Sequence, residues 1–230
     1  MILLALESAT SACSAAVCDD AGWTLGHRRG DPAPDQADRL IELIDVMLRE
    51  AGLGYGAIDV IAVNRGPGSF TGIRAGVVAA RGLALAAARP VIAVNTLEVL
   101  AAQLGPQPVG TIVAALDARR GQIYVQIFAH DLAPLSEPRA AAPADIALAG
   151  LARPLHLVGS GAPLLRAALP DQPVLHEDVE PDALGVARRA IARMAAGERP
   201  GPGHAVQPLY LRAPDARLPE RSRAPAMAGA

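Results

Sequence analysis

The sequence predicts an α/β protein of two lobes, each a mixed β-sheet flanked by helices. The first observation is the order of elements in the first half, where three short strands joined by turns precede alternating helices and strands. A meander followed by alternating units is typical of a sheet with helices on its faces. The second observation is a weak repeat, since "AALD" (114–117) can be aligned with "LALE" (4–7). In both places an acidic residue follows an apolar strand and precedes a turn, which indicates two lobes of related plan.

The first lobe is predicted over residues 1–104. Short apolar runs separated by the turn signals "ESATS" and "DDAG" predict three antiparallel strands. A helix is predicted over 36–51, because apolar residues recur there at helical spacing and Gly52 is a typical helix stop. Strands and helices then alternate, as a strand at 58–63, a helix at 72–88, a strand at 90–95 and a helix in "TLEVLAAQL".

The second lobe is predicted over residues 105–212 and begins at the linker candidate "GPQPVG". Its first elements are two strands within "TIVAALDARRGQIYVQIF". Five further elements follow in chain order: a helix near 143–151, a strand at 155–158, a helix near 163–169, a helix at 182–196 and a last strand at 208–212. Residues 213–230 are rich in Pro, Ala and Arg, and we expect this tail to be disordered.

The composition excludes several classes of function. Half of the residues are hydrophobic but only 3 % are aromatic, which favours a core of closely approaching Ala, Val and Leu side chains. The net charge of −2 gives no electrostatic case for direct nucleic-acid binding. All 21 basic residues are Arg, so a P-loop lysine, a Schiff-base lysine and a catalytic lysine base are excluded.

Targeting signals and cysteine pairs are also not expected. The N-terminus lacks a basic region and its apolar run stops at Glu7, which predicts neither a signal peptide nor a membrane span. We therefore expect a cytoplasmic protein. In an extended strand Cys13 and Cys18 would lie on opposite faces, so neither a disulfide nor a metal pair is predicted.

The stretch "NRGPGSFTGIRAGVVAARGLAL", residues 64–85, is a glycine loop that runs into a helix, a pattern suited to binding phosphate. Its spacing G-x-G-x-x-x-G is one residue longer than the dinucleotide fingerprint, and it lacks the Lys-Ser/Thr pair of a P-loop. A helix terminus contributes roughly 0.3–1 kcal/mol toward an anion, whereas micromolar affinity needs about 8 kcal/mol. We therefore favour a structural or vestigial loop, in which Gly66, Gly68 and Gly72 permit a tight turn and Ser69 or Thr71 caps the helix.

The helix itself has small residues four apart on one face, at Gly72, Gly76 and Ala80. Glycine inside a helix costs up to about 1 kcal/mol relative to alanine, so two glycines indicate that something packs too close for a side chain. The sheet beneath the helix and a helix of a partner protein both fit this pattern. The residues alone do not decide between them.

Four stretches together resemble the TsaB (YeaZ) family, bacterial partner proteins of the synthase that makes threonylcarbamoyladenosine beside the tRNA anticodon. They are "LLALESATSACSAAV", "AVNRGPGSFTGIRAGVVAARGLAL", "AALDARRGQIYV" and "PLYLR". The resemblance implies the two-lobed actin/Hsp70/sugar-kinase-like (RNase H-like) fold. In that superfamily an acidic turn after the first strand begins the phosphate loop. Here Glu7 and Ser8 stand at this place, with Glu7 where Asp is usual and with no following glycine.

The resemblance also implies a comparison with the catalytic sister subunit, TsaD. That subunit carries an H-x-x-x-H metal pair just after the strand corresponding to "PVIAV". At this place the sequence has "NTLEVLA", with Thr96 and Leu100 four residues apart. Neither side chain does what imidazole does for a metal. The resemblance therefore implies a non-catalytic subunit, with no catalytic residue, metal or cofactor of its own.

The partners implied by the resemblance are a TsaD-like catalytic subunit, a TsaE-like ATPase and a second copy of the chain, with tRNA contacted only through the complex and no membrane. We expect helices 36–51 and 72–88 to contact the catalytic subunit, through Arg39, Leu43, Met47, Gly72, Gly76 and Ala80. A second hypothesis is an active ATPase or small-molecule kinase of the same fold, with Mg²⁺-nucleotide held between Glu7 and Asp117. A third, a metallopeptidase, is disfavoured because the five histidines are scattered.

Overall fold

Two five-stranded sheets form the framework of the chain. The structure is a computed structural model and describes residues 1–31, 39–107, 109–169, 173–176 and 179–212. The strands are β1 (Ile2–Glu7), β2 (Ser14–Asp19), β3 (Thr24–Arg29), β4 (Val60–Asn64), β5 (Val91–Val94), β6 (Thr111–Arg119), β7 (Gln122–Ala129), β8 (Arg139–Ala141), β9 (Leu155–Val158) and β10 (Val174–His176). The α-helices are α1 (Leu40–Glu50), α2 (Phe70–Ala87), α3 (Thr96–Leu104), α4 (Ala162–Ala167) and α5 (Ala183–Ala195).

The first sheet has the strand order β3-β2-β1-β4-β5. β1 pairs antiparallel with β2 and parallel with β4, as a meander followed by alternating units predicts. Because successive side chains of a strand point to opposite faces, Leu4 and Leu6 of β1 face one layer of helices and Leu3 and Ala5 face the other. The first layer consists of α1 and α2, whose apolar sides bury Leu40, Ile44, Met47, Ile73 and Val77 on the sheet.

The second layer on the first sheet is α5, which comes from near the end of the chain. Its small residues Ala183, Val186, Ala187 and Ala190 pack on Leu3, Ala5, Ala16, Val60 and Ala62. Beyond the helix, Gly201 forms an antiparallel bridge with Val91 of β5. Residues 183–206, which the sequence assigns to the second lobe, pack on the first sheet instead, because α5 covers the second face of that sheet.

The second sheet has the strand order β10-β9-β6-β7-β8. One face packs on α4 and on the segment that contains Ile146 and Leu148. The other face packs on Leu97, Leu100 and Ala101 of α3. Since α3 also contacts α5, it joins the two lobes rather than belonging to the outside of either. The related plan of the two lobes that the weak repeat predicts is thus present in the two sheets.

The second lobe departs from its prediction in three places. The helix expected near 143–151 is only a short 3-10 turn, Pro143–Asp145. Ile146 and Leu148 beyond it are both buried, and a spacing of two residues suits extended chain rather than a helix. The strand expected at 208–212 forms no ladder, and instead the Leu209 N–H donates to the carbonyl oxygen of Arg65 (2.8 Å). The edge strands β8 and β10 were not predicted, because three residues are too few for a periodic signal.

The remaining expectations for the elements concern the cysteines and the tail. Cys13 and Cys18 are both buried free thiols. They belong to the cores on opposite faces of the first sheet, as their spacing predicts. The tail 213–230 and the start of the helix expected over 36–51 lie outside the described residues.

Candidate functional site: the glycine loop, the helix behind it and the inter-lobe cleft

In the glycine loop between β4 and α2 and at the start of the helix, several amides donate to acceptors within the chain. The Gly66 N–H donates to Oδ1 of Asn64 (3.0 Å), and the Ser69 N–H donates to the carbonyl oxygen of Ala9 (2.7 Å). Ser69 is the N-cap of α2, and its hydroxyl accepts from the Gly72 N–H (3.3 Å). Three amides that could face a phosphate therefore have internal acceptors, which favours the structural interpretation of the loop.

The turn formed by Ser8 and Ala9 after β1 fills the space in front of this loop. A Cβ atom on Gly68 would fall well within 3.0 Å of the Ala9 carbonyl oxygen, and one on Gly72 equally close to that of Ser8. A Cβ atom on Gly76 would collide with the Ser8 hydroxyl group, which donates to the Gly72 carbonyl oxygen (2.8 Å). Glycine is thus required at these positions, because the first turn of the chain lies too close to them for a side chain.

The face of α2 that carries the small residues consequently points into the first lobe. These small residues therefore give no reason to assign that face to a partner contact. Gly72, Gly76 and Ala80 are buried in the first lobe, so no partner helix can lie against them in this fold. On α1, Leu43 and Met47 are buried in the same core. Of the six expected contact residues, Arg39 at the start of α1 is exposed. Of the two explanations left open by the sequence, the sheet beneath the helix accounts for the glycines.

The outward face of α2 carries large apolar side chains beside the exposed Arg74, and sequence reasoning did not single them out. Phe70, Val78 and Leu85 are 44 %, 65 % and 86 % exposed, and Gly82 between them has open space around it. The helix is long and apolar enough to span a membrane by length and composition, with 33 % of it buried. Its inner side packs on the first sheet, so it is a core helix with an uncovered apolar side. Apolar residues on more than one side of the helix, interrupted by Arg74 and Arg81, were the available signal.

Glu7 lies at the end of β1, completely buried. Its Oε1 accepts from the Ala9 N–H (2.7 Å), and its Oε2 accepts from the side-chain amide of Asn64. Oδ1 of Asn64 also accepts from the hydroxyl of Thr96, at 3.0 Å. Burial raises the pKa of Glu7 to about 7, although the hydrogen bonds from Asn64 and Ala9 lower it. This carboxyl group therefore joins β1, β4 and α3 in one buried cluster.

Thr96 and Leu100, the two positions compared with a metal-binding histidine pair, are both completely buried. The hydroxyl of Thr96 donates within the cluster of Asn64 and the Pro67 carbonyl oxygen. The side chain of Leu100 lies in the core between α3 and the second sheet, where a Cβ atom on Gly159 would collide with it. This region is packed with apolar and internally hydrogen-bonded groups, which leave no open ligand position at either residue.

The cleft between the lobes has a volume of about 670 Å³. Six of its lining residues are serines or threonines with a hydroxyl group, namely Ser8, Thr10, Ser11, Ser69, Thr71 and Ser160. Asp117 also lines the cleft, and its N–H donates to the Ser160 hydroxyl (3.2 Å). Glu7 does not line it, so the expected pair of Glu7 and Asp117 across the cleft is not formed. Within the described part of the chain, no three His, Cys, Asp or Glu side chains group to hold a metal ion.

Comparison with known proteins shows related sequences. The family model described as TsaD, tRNA N6-adenosine threonylcarbamoyltransferase, matches residues 33–161. The tRNA threonylcarbamoyladenosine biosynthesis protein TsaB of Escherichia coli (strain K12) is 38 % identical over 125 residues, which are 54 % of this chain and 53 % of that protein. The chain therefore spans about half the length of this curated relative.

Solved structures extend the similarity to nearly the whole chain. YeaZ from Pseudomonas aeruginosa matches with a TM-score of 0.82 and 31 % identity, covering 91 % of this chain and 99 % of that one. An activator of 2-hydroxyisocaproyl-CoA dehydratase from Clostridium difficile matches with a TM-score of 0.50 and 11 % identity, over 85 % of this chain and 96 % of that one, which shows the fold alone. The predicted two-lobed actin-like fold is confirmed. Because the sequence identity of 31 % to the first of these structures extends over 91 % of this chain and 99 % of that one, the chain belongs to the TsaB (YeaZ) family.

Proposed function

We propose that the chain is a non-catalytic subunit required for threonylcarbamoyl transfer to the adenosine next to the tRNA anticodon. In this proposal it dimerises with a homologous catalytic subunit of the TsaD type and supports assembly with an ATPase of the TsaE type. Contact with tRNA is indirect, through the complex. The net charge of −2 agrees with indirect contact with tRNA, because surfaces that bind nucleic-acid phosphates are strongly basic.

The observation that carries the proposal is the environment of Thr96 and Leu100. In the catalytic sister subunit the resemblance assigns a metal-binding histidine pair to these positions. Here the side chain of Thr96 is hydrogen-bonded inside a buried cluster, and that of Leu100 lies in an apolar core. Restoring a metal there would need both new ligands and new space, since neither a threonine hydroxyl nor a leucine binds the metal as imidazole does.

The partner surface proposed is the outward side of α2 together with the start of α1. Val78 and Leu85 are largely exposed, Ile41 of α1 is 43 % exposed, and Arg39 lies beside it on the surface. A standard interface buries on the order of 800 Å² per partner and needs an apolar centre. The same surface serves a homodimer in this proposal, because a patch that fits a homologue often fits its own copy.

Reconstitution with purified components tests the function. Catalytic subunit, ATPase, tRNA, ATP and the threonylcarbamoyl donor are combined with and without this chain, and modified adenosine is measured by mass spectrometry. We expect no product from the chain alone, and product from the catalytic subunit only after the chain is added. Transfer by the chain alone, or full activity without it, would contradict the proposal.

The kinase alternative is tested by the same preparation. It requires Mg-ATP binding by the isolated chain, whereas three of the amides at the loop and helix start, those of Gly66, Ser69 and Gly72, already donate to acceptors within the chain. We expect calorimetry to detect no binding of Mg-ATP tighter than about 1 mM, which corresponds to roughly 4 kcal/mol. Tighter binding by the chain alone would favour the ATPase or small-molecule kinase.

A further inference from the structure

The turn of Ser8 and Ala9 connects the buried carboxyl group of Glu7 to the start of α2. On one side, the Ala9 N–H donates to Oε1 of Glu7 (2.7 Å). On the other side, the Ala9 carbonyl oxygen accepts from the N–H of Ser69, the cap of α2, at the same distance. The Ser8 hydroxyl adds a bond to the Gly72 carbonyl oxygen (2.8 Å). A change at the carboxyl group is therefore two hydrogen bonds away from the first turn of α2.

Little space is available for this connection to adjust. Gly68 and Gly72 already approach the backbone of the turn more closely than any side chain would permit. The opposite oxygen of Glu7 is held by Asn64, which is itself bound to Gly66 and Thr96. Because both oxygens accept from donors held in place by other bonds, a displacement of the carboxyl group should also displace the turn, the loop and the helix start.

We propose that Glu7 is a positioning residue: through the turn of Ser8 and Ala9, its buried carboxyl group sets the place of the α2 N-terminus and thereby the outward side of that helix. The part that concerns the outward side rests on the proposed function, in which this side contacts the catalytic subunit. The part that concerns the helix start stands on the isolated chain.

The burial of Glu7 makes this role sensitive to pH. Burial is the dominant cause that brings the pKa of Glu7 to about 7, the hydrogen bonds from Asn64 and Ala9 lower it, and of the facing charges Asp182 at the N-cap of α5 raises it and Arg29 of β3 lowers it. Cys13 is the other titratable neighbour, and burial raises the pKa of its thiol, so it stays neutral. The folded-state pKa of Glu7 lies above its ordinary value of 4.5. Its contribution to stability is therefore present at low pH and is lost as the pH rises through about 7.

Hydrogen exchange of the full chain, one pH unit below and one above that pKa, tests the first part. After correction for intrinsic exchange, we expect protection of the amides in 66–76 to be about tenfold lower at the higher pH, since one proton is linked to local opening. Amides of β6 and β7 in the second lobe should not follow this change. Equal protection of 66–76 at both pH values, or an equal change throughout the chain, would overturn it.

Variants separate the carboxyl group from other causes. Glu7→Gln keeps the shape without the charge, and we expect it to remove the pH dependence in 66–76. The matched control is Asp59→Asn, because Asp59 caps the opposite end of β1 by accepting from the Ile2 N–H (2.8 Å). This control should retain the tenfold change. If Glu7→Gln does not fold, the wild-type pH series decides by itself.

Association with the catalytic subunit tests the second part. The dissociation constant of the wild-type pair should rise several-fold between the two pH values, and that of Glu7→Gln should not. A pH-dependent helix start with pH-independent association would overturn the second part alone. Absence of any association would contradict the proposed function and leave the exchange result as the test of Glu7.

Discussion

The two sides of α2 have similar composition and opposite surroundings. Both carry small and apolar residues, with Arg74 added on the outer side. Gly72, Gly76 and Ala80 are buried against the first turn and the sheet, whereas Val78, Gly82 and Leu85 face outward. On the inner side, a Cβ atom on Gly72 would collide with the backbone of the chain's first turn. On the outer side, a Cβ atom on Gly82 would have no heavy atom of the described residues within 4 Å. Glycine therefore has a structural cause on the inner side, whereas on the outer side the described part of the chain supplies none.

This difference shows why a small-residue stripe does not identify an interface by itself. The stripe of small residues indicates that another element packs closely against the helix. It does not show whether that element belongs to this chain or to a partner. Within the first lobe the close approach is internal, and the partner surface that we propose instead carries large, exposed apolar side chains. Substitutions on the two sides should therefore change different quantities, stability on the inner side and association on the outer side.

The largest effect is expected for Gly72→Ala on the inner side. Its Cβ atom would collide with the Ser8 carbonyl oxygen, which belongs to the backbone and cannot rotate away. We expect the free energy of unfolding to fall by about 3 kcal/mol, measured by urea denaturation. A loss below about 1 kcal/mol would mean that the first turn has room to move, and the comparison of the two sides would fail.

Val78→Asp should produce the largest effect on the outer side. A charge at the centre of an apolar contact must be desolvated, so we expect association with the catalytic subunit to weaken at least about 100-fold. The free energy of unfolding should stay within about 0.5 kcal/mol, because Val78 is 65 % exposed.

Leu164→Asp is the matched control for Val78→Asp, since Leu164 is 41 % exposed on α4 in the other lobe. Calorimetry or surface plasmon resonance should show unchanged affinity for this control. Equal affinity of Val78→Asp and wild type would remove the outer side of α2 from the proposed interface.

Phe70→Ala tests the boundary between the two sides. The ring of Phe70 stacks on that of Tyr210 (centroids 5.3 Å apart), and the guanidinium of Arg74 lies 3.7 Å above it. We expect a loss of about 1 kcal/mol in the free energy of unfolding. Tyr210→Phe, which keeps the stack but loses the hydrogen bond from Arg74 (3.0 Å), should lose less. Equal losses would assign the effect to the hydrogen bond.

The smallest effect is expected for Gly82→Ala, and its sign is opposite. With open space around the position and a helical backbone, alanine should stabilise the chain by about 0.5–1 kcal/mol. Thermal denaturation measures this gain. A destabilised variant would show that the outer side of α2 is covered in the isolated chain, for instance by a second copy.

The elements of the first lobe were largely predictable, because long apolar periods and turn signals are local. The strands before and after the glycine loop, and α2 itself, lie within a few residues of their predicted bounds. What sequence reasoning missed is set by contacts between distant parts of the chain. Nothing in the local pattern of α5 shows that it packs on β1, and nothing in Glu7 shows that Asn64 and Ala9 bury its carboxyl group.

The site was less predictable for the same reason. Ser69 was recognisable as a helix cap, since its role depends on residues three positions away. The inward orientation of Gly72 and Gly76 depends on Ser8, more than 60 residues earlier in the chain, as the Ser8 bond to Gly72 illustrates. The packing around Leu100 likewise depends on Gly159 of the second lobe.

The position of α5 has a consequence for synthesis on the ribosome. One side of the first sheet is covered by Ala183, Val186, Ala187 and Ala190, which are translated long after the strands they protect. Until residue 195 has left the exit tunnel, the nascent first lobe carries an uncovered apolar surface. Premature termination before that point should therefore yield an aggregating product that depends on chaperones, and not a smaller folded domain.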